Sequence, residues 1–190
     1  MKGAVEAFSA ILITGVMIGV VGSIYFWGIP LIEKNKDINL LQGSETLIKN
    51  INSEIKNIAN QGGKTAVKIN VPGTLSFDGK KITFRLETSG TIYSTEGDVP
   101  LTKNACSKIE GRWGIDSPDI VCILSKKTGS RFMTTYTLTY ILLASEAANY
   151  EISLGGARQS GGVEDEVIIE NTGTEKTGKT TQTNIKISVI

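Results

Sequence analysis

The sequence predicts an α+β chain: a long N-terminal α-helix that begins as a membrane span and continues as an amphipathic stalk, then an antiparallel β-sandwich head. Three observations carry this. No charged side chain occurs from Ala7 to Ile32. Apolar residues then recur at helical spacing as far as Ile58. Beyond Gly63 that spacing stops, and short β-rich runs alternate with turn residues. The expected divisions are residues 1–36, 37–63 and 64–190.

The first division reads "AFSAILITGVMIGVVGSIYFWGIPLI" between Ala7 and Ile32. A bilayer core needs about 20 apolar residues in a helix, and this run exceeds that. Tyr25, Phe26 and Trp27 cluster near its far end, where amphipathic rings favour a membrane interface. A cleaved secretory signal fits poorly, because such an apolar region is shorter and ends in an A-x-A-like site. The expectation is therefore a retained, single-pass membrane helix in contact with lipid. Lysines on both flanks (Lys2, then Lys34 and Lys36) leave the positive-inside rule almost silent. The cysteine pair and the Thr-rich remainder favour a cytoplasmic N-terminus and an extracellular head. Within the span, Gly15, Gly19 and Ser23 recur every four residues. Such a stripe lets helices approach closely in lipid, although glycine is also simply common in membrane helices.

In the second division Leu41, Ile48, Ile51, Ile55 and Ile58 fall at spacings of three, four and seven. Glu45, Lys49, Glu54 and Lys56 occupy the other faces. That is an amphipathic helix, closed by "QGG" at Gln61–Gly63. Pro30 and Gly43 are expected as kinks or local melts rather than ends.

The third division offers roughly eight candidate strands. "TLSF", "DGKK" and "ITFRLE" read as a hairpin with an Asp-Gly turn. "TTYTLTYILL" alternates, with Tyr136, Leu138, Tyr140 and Leu142 on one face and threonines on the other. "TAVKINV", "YEISL", "VIIE" and "NIKISVI" supply further strands. Cys106 and Cys122 either close one loop as a disulfide, in an oxidising compartment, or remain two buried thiols.

The composition excludes several function classes. A net charge of +1 without a basic block interleaved with aromatics argues against nucleic acid. The chain has no histidine, which removes the commonest general base and transition-metal ligand. Two cysteines cannot build a four-ligand zinc site alone. "GTEKTGKT" at Gly173–Thr180 satisfies the phosphate-loop pattern G-x-x-x-x-G-K-[ST], but a strand-like "TQTNIKISVI" follows where a helix is required. A hairpin loop between the last two strands is the expected reading. The acidic run "GVEDEV" lacks the spaced ligands of a calcium loop. No catalytic, cofactor or metal residues are therefore expected, and no enzyme.

A short basic leader ending in glycine, "KG" at Lys2–Gly3, then Glu6, an apolar helix, an amphipathic helix and a β-rich domain make a layout that resembles the type IV pilin superfamily, within it the archaeal pilins and archaellins. The resemblance implies a class III signal peptide cut by a prepilin peptidase between Gly3 and Ala4, leaving Glu6 third in the mature chain. It implies a pilin, major or minor, of an archaeal type IV pilus-like or archaellum-like filament, anchored in the membrane before assembly on the cell surface. Its partners are then copies of itself or other pilins. Packing between subunits is expected along Gly15, Gly19 and Ser23, then along Leu41, Ile48, Ile51 and Ile55. Glu6 either pairs with a neighbour's Ala4 amine, which offsets the cost of a carboxylate in lipid, or stands solvated at the headgroups. The competing expectation is a membrane-tethered monomeric β-sandwich binding module on the cell surface.

Overall fold

The computed structural model describes the backbone of residues 2–190 and the side chains of residues 8–190. The expected cut at Gly3–Ala4 and the surroundings of Glu6 lie outside the described residues.

Helix α1 (Lys2–Ser23) passes through a π-helical turn (Ile24–Gly28) into α2 (Ile29–Gln61). Ser23, Gly28 and Ile29 keep right-handed helical dihedrals, so the rod is continuous. The widened turn lies just before Pro30, whose ring would crowd the carbonyl of Phe26 in a regular helix. Gly43 does not melt the helix as expected. It marks a close approach instead: a Cβ there would stand 3.4 Å from Val71 Cγ2. The rod stops at Gly62, which takes φ 76° and donates its N–H to Ile58 O at 2.9 Å. Only glycine adopts that conformation without strain.

Twelve strands follow: β1 (Lys64–Lys68), β2 (Thr74–Phe77), β3 (Ile82–Thr88), β4 (Val99–Pro100), β5 (Glu110–Arg112), β6 (Asp119–Thr128), β7 (Arg131–Tyr140), β8 (Leu142–Ala144), β9 (Asn149–Gly155), β10 (Gln159–Gly161), β11 (Glu166–Thr177) and β12 (Thr180–Val189). They form two six-stranded sheets, ordered β1-β11-β12-β9-β8-β5 and β10-β2-β3-β7-β6-β4. The α+β class is as expected, but the sandwich is not wholly antiparallel. β12 pairs with β9, and β5 with β8, in parallel.

The Asp-Gly hairpin is present between β2 and β3. Asp78 Oδ1 accepts the N–H groups of Lys80 and Lys81, each at 3.0 Å, around Gly79 at φ 101°. β7 buries Tyr136 and Leu138 as its alternation predicts. The alternation then fails: Ile141 and Leu143 are buried, and Leu142 is not on the inner face. The chain leaves one sheet after Tyr140 and joins the other at Leu142, so the parity resets. The phosphate-loop letters lie on the β11–β12 hairpin, where Thr177 faces Thr180 across Gly178 and Lys179. No helix follows them.

The lower half of the rod packs against β1, β11 and β12 of the first sheet and β3 and β7 of the second. Leu41, Ile48, Ile51 and Ile55 are fully buried in a core shared with Phe84, Tyr136, Ile169 and Ile187. This corrects the expectation that those four side chains join subunits together. They face the chain's own sheets, and no surface of theirs is left for a neighbour. The amphipathic pattern was real, but its partner is internal.

Candidate functional site

Two surfaces are left unsatisfied once this core is closed: a length of bare helix and the place where that helix leaves the head. From Phe8 to Ile32 every side chain is exposed. This is one helix long and apolar enough to cross a membrane, with a mean hydropathy of 2.0 over its most apolar window. Phe26 and Trp27 are more than four-fifths exposed. The hydroxyls of Thr14 and Ser23 are satisfied within the helix. Thr14 Oγ1 donates to Ala10 O and Ser23 Oγ to Gly19 O, both at 2.8 Å. A helix in lipid needs that, since no water is there to take over.

Gly15 and Gly19 open onto empty space: a Cβ built on either meets nothing within 4 Å. Gly22 is the same and was missed in the sequence. It lies seven residues after Gly15 and three after Gly19, so helical spacing puts it on the same face. The face of Gly15, Gly19, Gly22 and Ser23 is therefore shallow enough for another backbone to come close.

The rod is fastened into the head by buried polar contacts. At its upper end Asp37, almost wholly buried, accepts the Gly90 N–H at 2.8 Å. One turn further in, Tyr136 donates its hydroxyl to Leu41 O at 2.8 Å. Tyr93 donates to Glu45 Oε2 at 3.0 Å, and Lys49 pairs with Glu45 at 2.6 Å. Burial is the main reason that the Tyr93 phenol is pushed up to about 12; burial drives Tyr136 higher still. Both hydroxyls therefore stay protonated as donors throughout the neutral range.

Lower down, Asp119 at the start of β6 is buried beneath the helix. Asn52 donates to its Oδ2 at 2.8 Å, Lys56 pairs with its Oδ1 at 3.3 Å, and Ser117 Oγ donates to that same Oδ1. Tyr140 donates to Asn52 Oδ1 at 2.7 Å and so orients that amide. Burial alone would raise the Asp119 carboxyl. The hydrogen bonds from Ser117 and Asn52, with the Lys56 charge, outweigh it and hold the group below the ordinary carboxylate range.

At the junction of rod and head lies a cavity of about 270 Å³, lined among others by Pro30, Glu33, Asp37, Ile38, Gly90 and Ile92. On the other flank, Cys106 and Cys122 are disulfide-bonded, with Cα atoms 5.9 Å apart. The bridge ties the loop between β4 and β5 to strand β6. The acidic run near Gly162 is a turn: Asp165 accepts the Gly162 N–H at 2.8 Å, and Glu164 pairs with Lys68 at 3.0 Å. Among the described residues no group of three or more His, Cys, Asp or Glu is placed to hold a metal ion. No protein-family model, curated protein or solved structure matches the chain.

Proposed function

We propose that this chain is a structural subunit, a pilin in the type IV sense, of an archaeal pilus-like or archaellum-like surface filament. One observation carries the reading. An apolar helix, bare from Phe8 to Ile32, projects from a head whose own core is already complete. Exposed apolar surface on that scale needs a cover. Lipid supplies it before assembly, and the same segments of neighbouring copies supply it afterwards. Helices of several copies approach along Gly15, Gly19, Gly22 and Ser23, where nothing projects to hold them apart. The N-terminus is cytoplasmic before assembly, a prepilin peptidase cuts between Gly3 and Ala4, and the head faces outward. The protein performs no chemistry and takes no cofactor.

The test is negative-stain microscopy of source cells with antibody to the head, together with N-terminal sequencing of the mature protein. Labelled filaments and a mature terminus at Ala4 are expected. A membrane-embedded monomer with Met1 intact and no labelled filament would replace this reading with the tethered binding module.

A further inference from the structure

Outside the long helix, the large apolar side chains left exposed among the described residues are Ile92, Ile109, Trp113, Ile115, Val163 and Ile190. They are not scattered evenly. Ile109, Trp113 and Ile115 share the loop around β5 and are 82%, 48% and 69% exposed. Ile92, 47% exposed, lines the cavity at the junction of rod and head.

The loop is a built projection. The Cys106–Cys122 bridge holds its base. Lys108 and Asp116 pair across it at 2.7 Å. The Trp113 backbone N–H donates to Ala144 O at 3.0 Å, and its ring meets Tyr150 edge-on, with ring centroids 5.1 Å apart. Little ordering is therefore left to be done on binding, which favours association.

The projection and the cavity sit at opposite ends of the packed helix. Trp113 shares a surface hollow with Lys56 and Asn60, whereas the cavity is lined by Pro30, Glu33 and Asp37. Glu33 to Lys56 is roughly 35 Å of helix rise. The charges are complementary. The cavity bears Glu33 and Asp37 against Lys34, while the projection bears Lys103 and Arg112 against Glu110, with Lys108 and Asp116 paired to each other. Neither Glu33 nor Arg112 makes an ion pair among the described residues.

We propose that the Ile109–Trp113–Ile115 projection of one copy seats in the Ile92 cavity of a second copy, with Arg112 facing Glu33. This rests on the filament reading and adds a head-to-head contact to it. Because the two surfaces differ, the contact is heterologous, and because it also displaces each copy along the helix axis it propagates as a filament instead of closing into a ring. A symmetric pairing of two projections would instead set Arg112 against Arg112. Copies joined this way are displaced along the helix axis by roughly 35 Å.

Native filaments carrying Ile92→Cys together with Ile115→Cys test the contact, since both side chains are exposed and the two native cysteines are already bonded. On mild oxidation the double variant is expected to give a ladder of covalent multimers on denaturing gels, and neither single variant is. Filaments that form normally but give no ladder would overturn the contact and leave the filament reading standing. A dimer from Ile115→Cys alone would also overturn it, in favour of a symmetric pairing. Absence of filaments from the unmodified protein would remove both. Independently, Ile115→Glu sets a negative charge against Glu33 and Asp37 of the cavity and is expected to lower pelletable filament at least about tenfold. Exchanging charges as Glu33→Arg with Arg112→Glu should restore what either single change loses; no restoration argues against that pairing.

Discussion

The upper and lower halves of the long helix are both rich in large apolar residues, yet they meet opposite surroundings. Between Phe8 and Ile32 those side chains are exposed. Between Leu41 and Ile58 they are enclosed by two sheets. The upper half is apolar on all sides, which suits a medium without direction, such as lipid or a bundle of like helices. The lower half is apolar on one face only and polar on the other, which suits a fixed partner. On the proposed filament reading the same rod carries two kinds of adhesion, one between molecules and one within the molecule. Substitutions can separate them.

The largest expected effect lies in the lower half. Ile51 is fully buried between the sheets, so Ile51→Ala removes packing from both at once. Urea unfolding of the full chain in detergent should show a loss of about 2–5 kcal/mol in head stability. Val16→Ala, the matching truncation in the bare half, should change it by less than about 0.5 kcal/mol. Equal effects would mean that the head does not enclose the helix as described.

Gly43→Leu gives the next effect. A side chain there meets Val71 immediately. Overpacking costs about 1–3 kcal/mol, against which the better helix propensity of leucine returns about 0.8 kcal/mol. A net destabilisation measured by the same urea titration is expected. Unchanged stability would show that β1 and the segment after it move away from the helix at little cost.

Asp119→Asn probes the polar side of the lower half. Asp119 is held below the ordinary carboxylate value in the folded chain, so its charge stabilises the fold above the unfolded pKa. That contribution disappears as the pH falls from about 4 through the lower folded value. Removing the charge should cost about 1.5–3 kcal/mol at neutral pH, the range for hydrogen bonds to a charged group. It should also flatten the acid limb of the stability curve. Asp78 and Asp116 are depressed as well and titrate in the same range, so the informative quantity is the difference between the wild-type and variant curves. Parallel curves would assign the acid sensitivity to other carboxylates.

How far the sequence revealed this arrangement depends on how local each cause is. The Asp78–Gly79 turn and the Gly62 stop were legible because both depend on a few adjacent residues. The apolar stripe of the lower helix was legible too, but periodicity reports that a face is covered, not by what; Leu41, Ile48, Ile51 and Ile55 were assigned to the wrong partner for that reason. β6 escaped notice because "IVCIL" has no alternation to mark a strand. The parallel pairings and the sheet change after Tyr140 are long-range choices with no local signature. The bond between Cys106 and Cys122 was left open, since spacing alone does not bring two sulfurs together. Buried acids such as Asp37 and Asp119 look like any surface carboxylate until their surroundings are known. At the candidate surfaces, the open glycine face was legible except for Gly22. The cavity at Ile92 and the Trp113 projection depend on how loops fold back, and nothing in the sequence singled them out.

The smallest effect on the head is the most informative about the bare half. Gly19→Leu adds a bulky side chain where nothing lies within 4 Å, so the single chain has no contact to lose. Leucine also favours the helix over glycine by about 0.8 kcal/mol. The urea midpoint of the head should therefore be unchanged, and membrane insertion intact or slightly improved. In a bundle of copies the same side chain stands where two backbones approach, and close packing there cannot absorb it. Filaments should be absent or much reduced while the folded subunit accumulates in the membrane. The control is Met17→Leu, two residues earlier and on the opposite side of the helix from the glycine face, which should assemble normally. If Gly19→Leu also assembles normally, the glycine face is not where helices meet, and the bundle must be sought on another side of the rod. If Gly19→Leu lowers head stability, the upper half touches the head after all, and the separation between the two adhesions fails.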